Sequence, residues 1–192
     1  MNSIPRRIYL TFDDGPEGDF TLKVLDLLRD WGAKATFFVC GKNCEIFPHI
    51  LKREVEEGHS IGNHTYSHNR LLVYLGLIKG EIERTRRIIC ELTGREVNLF
   101  RPPWGIMVPW LRWYLTRKGY RLVFWDIDTR DWSGIKGEEI ARKVLREARD
   151  GAIVLFHDGD GKRSQRGREN TLQALRIILP ELSARGYIFP PL

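Results

Sequence analysis

No apolar run in this chain approaches the roughly 20 residues that a bilayer-spanning helix needs, so no transmembrane segment is expected. Met1 to Arg7 carry no apolar signal core and lead at once into a strand candidate. A cytoplasmic protein is the expectation, unless a leader was removed. Cysteine is scarce: the three present, Cys40, Cys44 and Cys90, are too few and odd in number for a disulfide framework. Cys40 and Cys44 stand four apart with no second cluster and read as buried free thiols. No glycine-rich phosphate loop follows the first strand, which weighs against a nucleotide-binding open sheet. Repeats, low-complexity tracts and linkers are absent too. Acid is in deficit, 25 residues against 31 Lys and Arg, for a net charge of +6. That balance favours anionic partners in general. No nucleic-acid recognition motif accompanies it, so no nucleic-acid partner is expected.

What is present is an ordinary globular composition, 42% hydrophobic and 29% charged, in 192 residues, which suits one domain over 1–192. Short β-type runs alternate with helical stretches. Strands are expected at Arg7–Phe12, Ala35–Val39, His59–Gly62, Asn98–Phe100, Arg121–Trp125, Ala152–Phe156 and Tyr187–Phe189. Helices are expected over Phe20–Trp31, Pro48–Glu57, about Tyr74 to Leu92, Pro109–Lys118, Glu138–Arg149 and Thr171–Arg185. The fold class is therefore α/β with a largely parallel sheet. About seven strands in fewer than the ~250 residues of a full eight-unit barrel predict a distorted, shortened (β/α) barrel, with an open doubly wound sheet as the alternative.

Ionisable residues recur where the strands end, as expected for an active face built from the loops after parallel strands. The first strand runs into Asp13-Asp14-Gly15-Pro16, the third into Asn63-His64-Thr65-Tyr66-Ser67-His68, and the fourth into Arg101-Pro102-Pro103-Trp104. The fifth leads to Asp128-Thr129-Arg130-Asp131-Trp132 and the sixth to His157-Asp158. One helical turn would bring His64 and His68 to the same face, where two imidazoles and an oxygen donor would leave an open position on a catalytic metal. Asp-Asp-Gly-Pro is also good turn chemistry. Successive side chains at a strand end point apart, however, so one carboxylate can reach a metal while its neighbour faces the reacting water.

Five segments in one order resemble the polysaccharide deacetylase family with the NodB-homology domain (carbohydrate esterase family 4). They are Thr11–Pro16, His64–His68, Arg101–Pro103, Asp128–Trp132 and Leu155–His157, and the likeness spans about Tyr9 to His157. The resemblance implies one divalent cation on Asp14, His64 and His68, with zinc first and cobalt, nickel or manganese also admissible. It implies Asp13 as general base, Arg101 as the residue that holds that base ionised, and His157 as general acid. Asp131 would orient one of the charged residues. The Trp104 N–H would donate to the oxyanion, Leu155 would shape the acetyl pocket, and Trp132 would supply an apolar wall. The implied activity is removal of N-acetyl groups from amino sugars of a chitin-like or peptidoglycan-like glycan. Alternatives are a deacetylase or deformylase acting on a small or lipid-linked sugar or an acetyl ester and, in another class, an inactive carbohydrate-binding protein.

Residues outside the motifs receive plainer readings. His49 is expected on a solvated helix face and His59 as a hydrogen-bonded structural residue. Trp110, Trp113 and Tyr114 read as a helical core stripe and Trp125 as strand core. The basic loop Lys162–Arg168 suits an anionic glycan or sugar phosphate, or else is simply solvated.

Overall fold

The computed structural model describes residues 5–159 and 166–192, with no account of the side chains of 166–168. The basic loop Lys162–Arg168 thus lies outside the described residues, but for the helical backbone of its last three.

Eight strands are described: β1 (Arg6–Asp13), β2 (Ala35–Val39), β3 (Ser60–Asn63), β4 (Leu99–Phe100), β5 (Arg121–Leu122), β6 (Ile127–Asp128), β7 (Ala152–His157) and β8 (Tyr187–Ile188). They form one sheet in the order β5-β4-β3-β2-β1-β7-β6, with β8 paired to the start of β1. Every pairing is parallel. The helices are α1 (Gly18–Asp30), α2 (Gly41–Ile46), α3 (Pro48–Glu56), α4 (Arg70–Tyr74), α5 (Lys79–Thr93), α6 (Pro109–Arg117), α7 (Gly137–Glu147) and α8 (Arg166–Ala184).

The sheet must curl, and chain length shows why. Laid flat, seven strands spaced about 4.8 Å apart would separate β5 from β6 by about 29 Å. Only Val123–Asp126 join them, a connection that can span about 18 Å at most. The run that begins against β4, with Val123 N–H donating to Phe100 O at 2.9 Å, ends against β7, with Asp126 N–H donating to Ile153 O at 2.9 Å. The expected strand Arg121–Trp125 is thus corrected: one extended run serves both edges of the sheet. The result is the shortened, distorted barrel, and the doubly wound alternative falls.

Side-chain alternation sorts the strands into an outer and an inner face. Ile8, Leu10 and Phe12 of β1 are fully buried in a large cluster with residues of α1, α3, α7 and α8. At one level of that outer layer Phe12 stacks with Phe37 and Phe156, its register partners, at centroid distances of 5.1 and 5.5 Å. One residue further, Asp13, Phe38 and His157 share the next level. The inner face holds a small cluster of Phe38, Leu99 and Val123. Gly62 pairs with Phe38, and a Cβ there would sit 2.3 Å from its ring, so only glycine leaves room.

Two helical expectations are corrected. The stretch from Tyr74 to Leu92 divides into α4 and α5, with Gly76 between them in the left-handed region at φ +71°. The short α2 was not foreseen; six residues carry too little periodicity to register.

Candidate active site

The polar groups gather at the C-terminal mouth of the curled sheet. Asp13 ends β1 inside the barrel and is nearly fully buried. Its Oδ1 accepts from Arg101 Nη1 at 2.7 Å, and the same nitrogen lies 2.8 Å from Thr11 Oγ1. Arg101 is fully buried; its Nε and Nη2 donate to the carbonyls of Val123 and Phe124 in the closing run. Its guanidinium lies 4.1 Å from the Phe38 ring centroid. The arginine thereby ties the base candidate on β1 to the run that closes the sheet. Thr11 belongs to this network, and its position two residues before Asp13 on the same strand face was the available signal.

Asp14, at φ +75°, turns away from its neighbour. Its Oδ1 lies 3.3 Å from Nε2 of His64 and 3.3 Å from Nε2 of His68. That oxygen is buried and has no hydrogen-bond partner among the described residues. One ligand atom from each of the three residues falls within 4.8 Å of the others. His64 places Nδ1 2.7 Å from Arg101 O; a proton on Nδ1 leaves the Nε2 lone pair facing Asp14, the tautomer a metal ligand requires. Two imidazole nitrogens and a buried carboxylate oxygen fit a divalent cation. Burial raises the Asp14 carboxyl pKa, but the imidazoles of His64, His68 and His157 outweigh it and hold the group well below the carboxylate range.

The two histidines do not share a helix, which corrects the expectation of a helical turn. His64 follows β3, and the chain reaches His68 through a loop in which Thr65 (φ +69°) and His68 (φ +49°) are left-handed. The loop is pinned by α2, whose Gly41 and Lys42 N–H groups donate to Thr65 O and Tyr66 O at 3.0 Å. Glu81 accepts from both the N–H and hydroxyl of Ser67. Asn69 then caps α4 through Leu72 N–H. Sequence reading missed α2 and Glu81 in this role, since neither carries a motif.

On the other side of the mouth, His157 ends β7. Its Nδ1 lies 2.7 Å from Asp131 Oδ1, and its own N–H donates to Asp131 Oδ2 at 2.9 Å. Thr171, which no sequence signal marked, donates to the same Oδ2 at 2.8 Å. Burial lowers the His157 pKa, but the Asp131 carboxylate, with help from Asp14 and Asp13, pushes it up to about 10. Asp128 instead accepts from Arg130 N–H at 3.0 Å. Between Asp128 and Asp131, it is therefore Asp131 that touches His157.

Leu155 is buried on β7, paired with Thr11 and Asp128. Trp104 is exposed in a turn at φ +54°, its ring 4.2 Å from that of His68. Trp132 is exposed directly after Asp131. His59 accepts from Ala35 N–H at 3.1 Å, as a structural histidine should, and His49 is exposed on α3. Cys40 and Cys44 are buried free thiols. Trp110 and Trp113 are not core: both are exposed, while Leu111, Tyr114 and Leu115 supply the buried face of α6. Trp125 is likewise only half-buried.

Comparison with known proteins places this geometry among relatives. The model of the family described as Polysaccharide deacetylase matches residues 2–123. A peptidoglycan-N-acetylglucosamine deacetylase of Bacillus cereus is 40% identical over 184 residues, covering 95% of this chain and 65% of the relative. A chitooligosaccharide deacetylase of Azorhizobium caulinodans is 36% identical, covering 96% of this chain and 92% of the relative. The solved structure of a family 4 carbohydrate esterase from Streptomyces lividans, in complex with acetate, superposes with a TM-score of 0.85 at 32% identity, covering 96% and 91%. The chain thus spans just under two thirds of one relative and nearly all of the others.

Proposed function

We propose, from the premise that this chain belongs to the polysaccharide deacetylase family, that it hydrolyses the N-acetyl group from amino sugars of a peptidoglycan-like or chitin-like glycan. The observation that carries this reading is the arrangement around Asp14, His64 and His68: a buried, unpartnered carboxylate oxygen between two imidazoles. On one side stands a carboxylate held by arginine, on the other an imidazole held by a carboxylate. The named relatives act on glycans of both kinds.

Asp14, His64 and His68 would hold the cation, with zinc best suited to two imidazoles and one carboxylate. When bound, the cation supplies Lewis acidity, lowering the pKa of water from 15.7 toward about 7 and polarising the acetyl carbonyl. Arg101 fixes Asp13 through Oδ1, so that Oδ2 can accept a proton from the attacking water, a contribution of about 10²–10⁴-fold. The Trp104 N–H is assigned to the developing oxyanion, worth roughly 3 kcal/mol. Asp131 fixes the proton on Nδ1 of His157, and Nε2 of the charged ring then gives its proton to the departing amine. Without that proton the amine is a poor leaving group and the tetrahedral adduct reverts. Leu155 and Trp132 are assigned the apolar walls around the acetyl methyl and the sugar.

Acetate release from chitooligosaccharides and peptidoglycan fragments, measured together with metal content, tests the reading. His64→Ala should lose most of the metal and nearly all turnover. Asp13→Asn should keep the metal and lose turnover by at least about 10²-fold. Full-rate acetate release in the presence of chelator would end the proposal.

A further inference from the structure

Apolar side chains are exposed together on one flank of the barrel. Leu71, Tyr74, Leu75, Leu77, Trp110 and Trp113 are each between 45% and 66% exposed. They belong to one surface. Leu71 and Leu75 lie one helical turn apart at α4, Trp110 and Trp113 one turn apart on α6. The two elements meet at Gly76, where a Cβ would lie 2.8 Å from the Trp110 indole nitrogen. Beneath them, Val73 of α4 and Leu111, Tyr114 and Leu115 of α6 share one buried cluster. The exposed residues therefore sit on a packed base and have no cover among the described residues. A contiguous patch of this kind marks an interaction site more often than an isolated apolar side chain does.

The charge around the patch selects the partner. The sequence from Gly58 to Gly80 contains no acidic residue, and neither does Val97 to Trp125. These two stretches supply the patch together with exposed Arg70, Lys79, Arg112, Arg117 and Lys118. Two acids of α5 that reach these stretches are half-buried and turned to tasks of their own: Glu81 holds Ser67, and Glu83 accepts from the Tyr114 hydroxyl. Arg70 lies over the Tyr74 ring at 5.4 Å and Arg117 over the Trp113 ring at 5.0 Å. A guanidinium over the Tyr74 and Trp113 rings takes a face that a sugar would use for stacking, and exposed leucines offer a glycan nothing. Leucine, indole and snorkelling basic side chains without acid are instead the composition of an interfacial membrane contact. The patch begins three residues after His68, so a chain seated on lipid by this flank would carry its catalytic mouth beside the headgroups.

We infer that the α4–α6 flank docks this protein onto anionic lipid bilayers. The inference goes beyond the proposed hydrolysis and does not depend on it.

Co-sedimentation with phosphatidylcholine vesicles, with and without about 30 mol% phosphatidylglycerol, tests it directly. The protein should bind the anionic vesicles, more weakly as salt rises, and bind the neutral ones poorly. Leu75→Ser with Leu77→Ser should weaken anionic binding at least about tenfold. Arg112→Glu with Arg117→Glu should weaken it at least about 25-fold, from about fivefold per basic residue near such a surface. Both variants should keep the parent's far-ultraviolet circular dichroism and urea unfolding midpoint, which shows that they fold. Failure of the parent to bind anionic vesicles would overturn the inference. So would a concentration-dependent dimer abolished by the leucine pair, which would assign the flank to a second copy of the chain. A loss of activity on polymeric glycan with vesicle binding unchanged would assign it to substrate instead. Vesicle binding is read without turnover, so a protein that binds lipid yet releases no acetate would count against the hydrolase reading alone.

Discussion

Arg101 and Asp13 lie inside the barrel, and every nitrogen of the arginine has an acceptor there. Glu54 and Asp158 lie in the helix layer outside, as deeply buried, and three of their four carboxylate oxygens have no hydrogen-bond partner among the described residues. The fourth, Asp158 Oδ2, accepts from Thr21 Oγ1 at 2.7 Å. Burying a charge is costly unless a counter-charge and hydrogen bonds replace water, and these two places answer that cost differently. Inside, the charge is kept by pairing it. Outside, burial, with Asp158 adding to it, pushes Glu54 well up, and burial, with Asp14 and Asp13 adding to it, pushes Asp158 up to about 7, so Glu54 gives up its charge by keeping a proton. Function explains the contrast: a base must stay ionised, and nothing assigned to catalysis asks Glu54 to be.

The largest effect should come from breaking the inner pair. Arg101→Met leaves Asp13 buried without its guanidinium partner, and removes the ties to Val123 O and Phe124 O. A loss of about 3–5 kcal/mol is expected, read from urea unfolding at neutral pH. Turnover should fall by about 10²-fold or more as the base candidate loses its fixed position. An Arg101→Met protein as stable and active as the parent would show that the inner pair sustains neither the fold nor the site.

Asp131→Asn applies the same test to the second paired charge at the mouth. Without the carboxylate, His157 loses the chief cause of its raised pKa, and burial then acts to lower it. A divalent cation beside Asp14 would press in the same direction. The acid must be protonated to act, so the alkaline limb of the kcat/KM profile should move to lower pH. At pH 8 activity should drop about 10²-fold, with partial recovery as the pH falls toward 6. An unmoved alkaline limb would separate Asp131 from the titration of His157.

This contrast between paired and protonated charges was half legible beforehand. Asp13, Asp14, His64, His68, Arg101 and His157 sit in short motifs at strand ends, where local sequence and local structure carry the same information. The supports of those residues are distant in the chain and unmotivated by pattern: Thr171 reaches Asp131 across 40 positions. The fold was legible wherever a strand is fully buried, as in Ala35–Val39, whose bounds match the expectation. It failed at Arg121–Asp128 because periodicity records what a strand buries and not which neighbour it pairs with. It failed on α6 because Trp110, Trp113 and Tyr114 make a plausible stripe by spacing; once Leu111, Tyr114 and Leu115 take the inner face, the two tryptophans must point outward. Glu54 was invisible for a related reason: a charged residue on a helix reads as solvated until its neighbours are known.

The smallest effect, and the sharpest for the comparison, belongs to Glu54. In the unfolded chain this carboxyl ionises near its ordinary value of 4.5, whereas the folded protein holds the proton well above that. Across the interval the folded state therefore binds more protons than the unfolded one, and stability falls as the pH rises through it. Glu54→Gln removes the ionisation but keeps a buried polar group, so it should flatten the decline in urea midpoint between pH 5 and pH 8 with little gain at pH 4. Glu54→Leu removes the polar group as well and should gain about 1–3 kcal/mol even at pH 4, and more at pH 8. If Glu54→Leu were instead destabilising at both pH values, a bound water or cation must satisfy those oxygens in solution. The outer carboxyls would then be paired after all, and the distinction between the two sides of β1 would disappear.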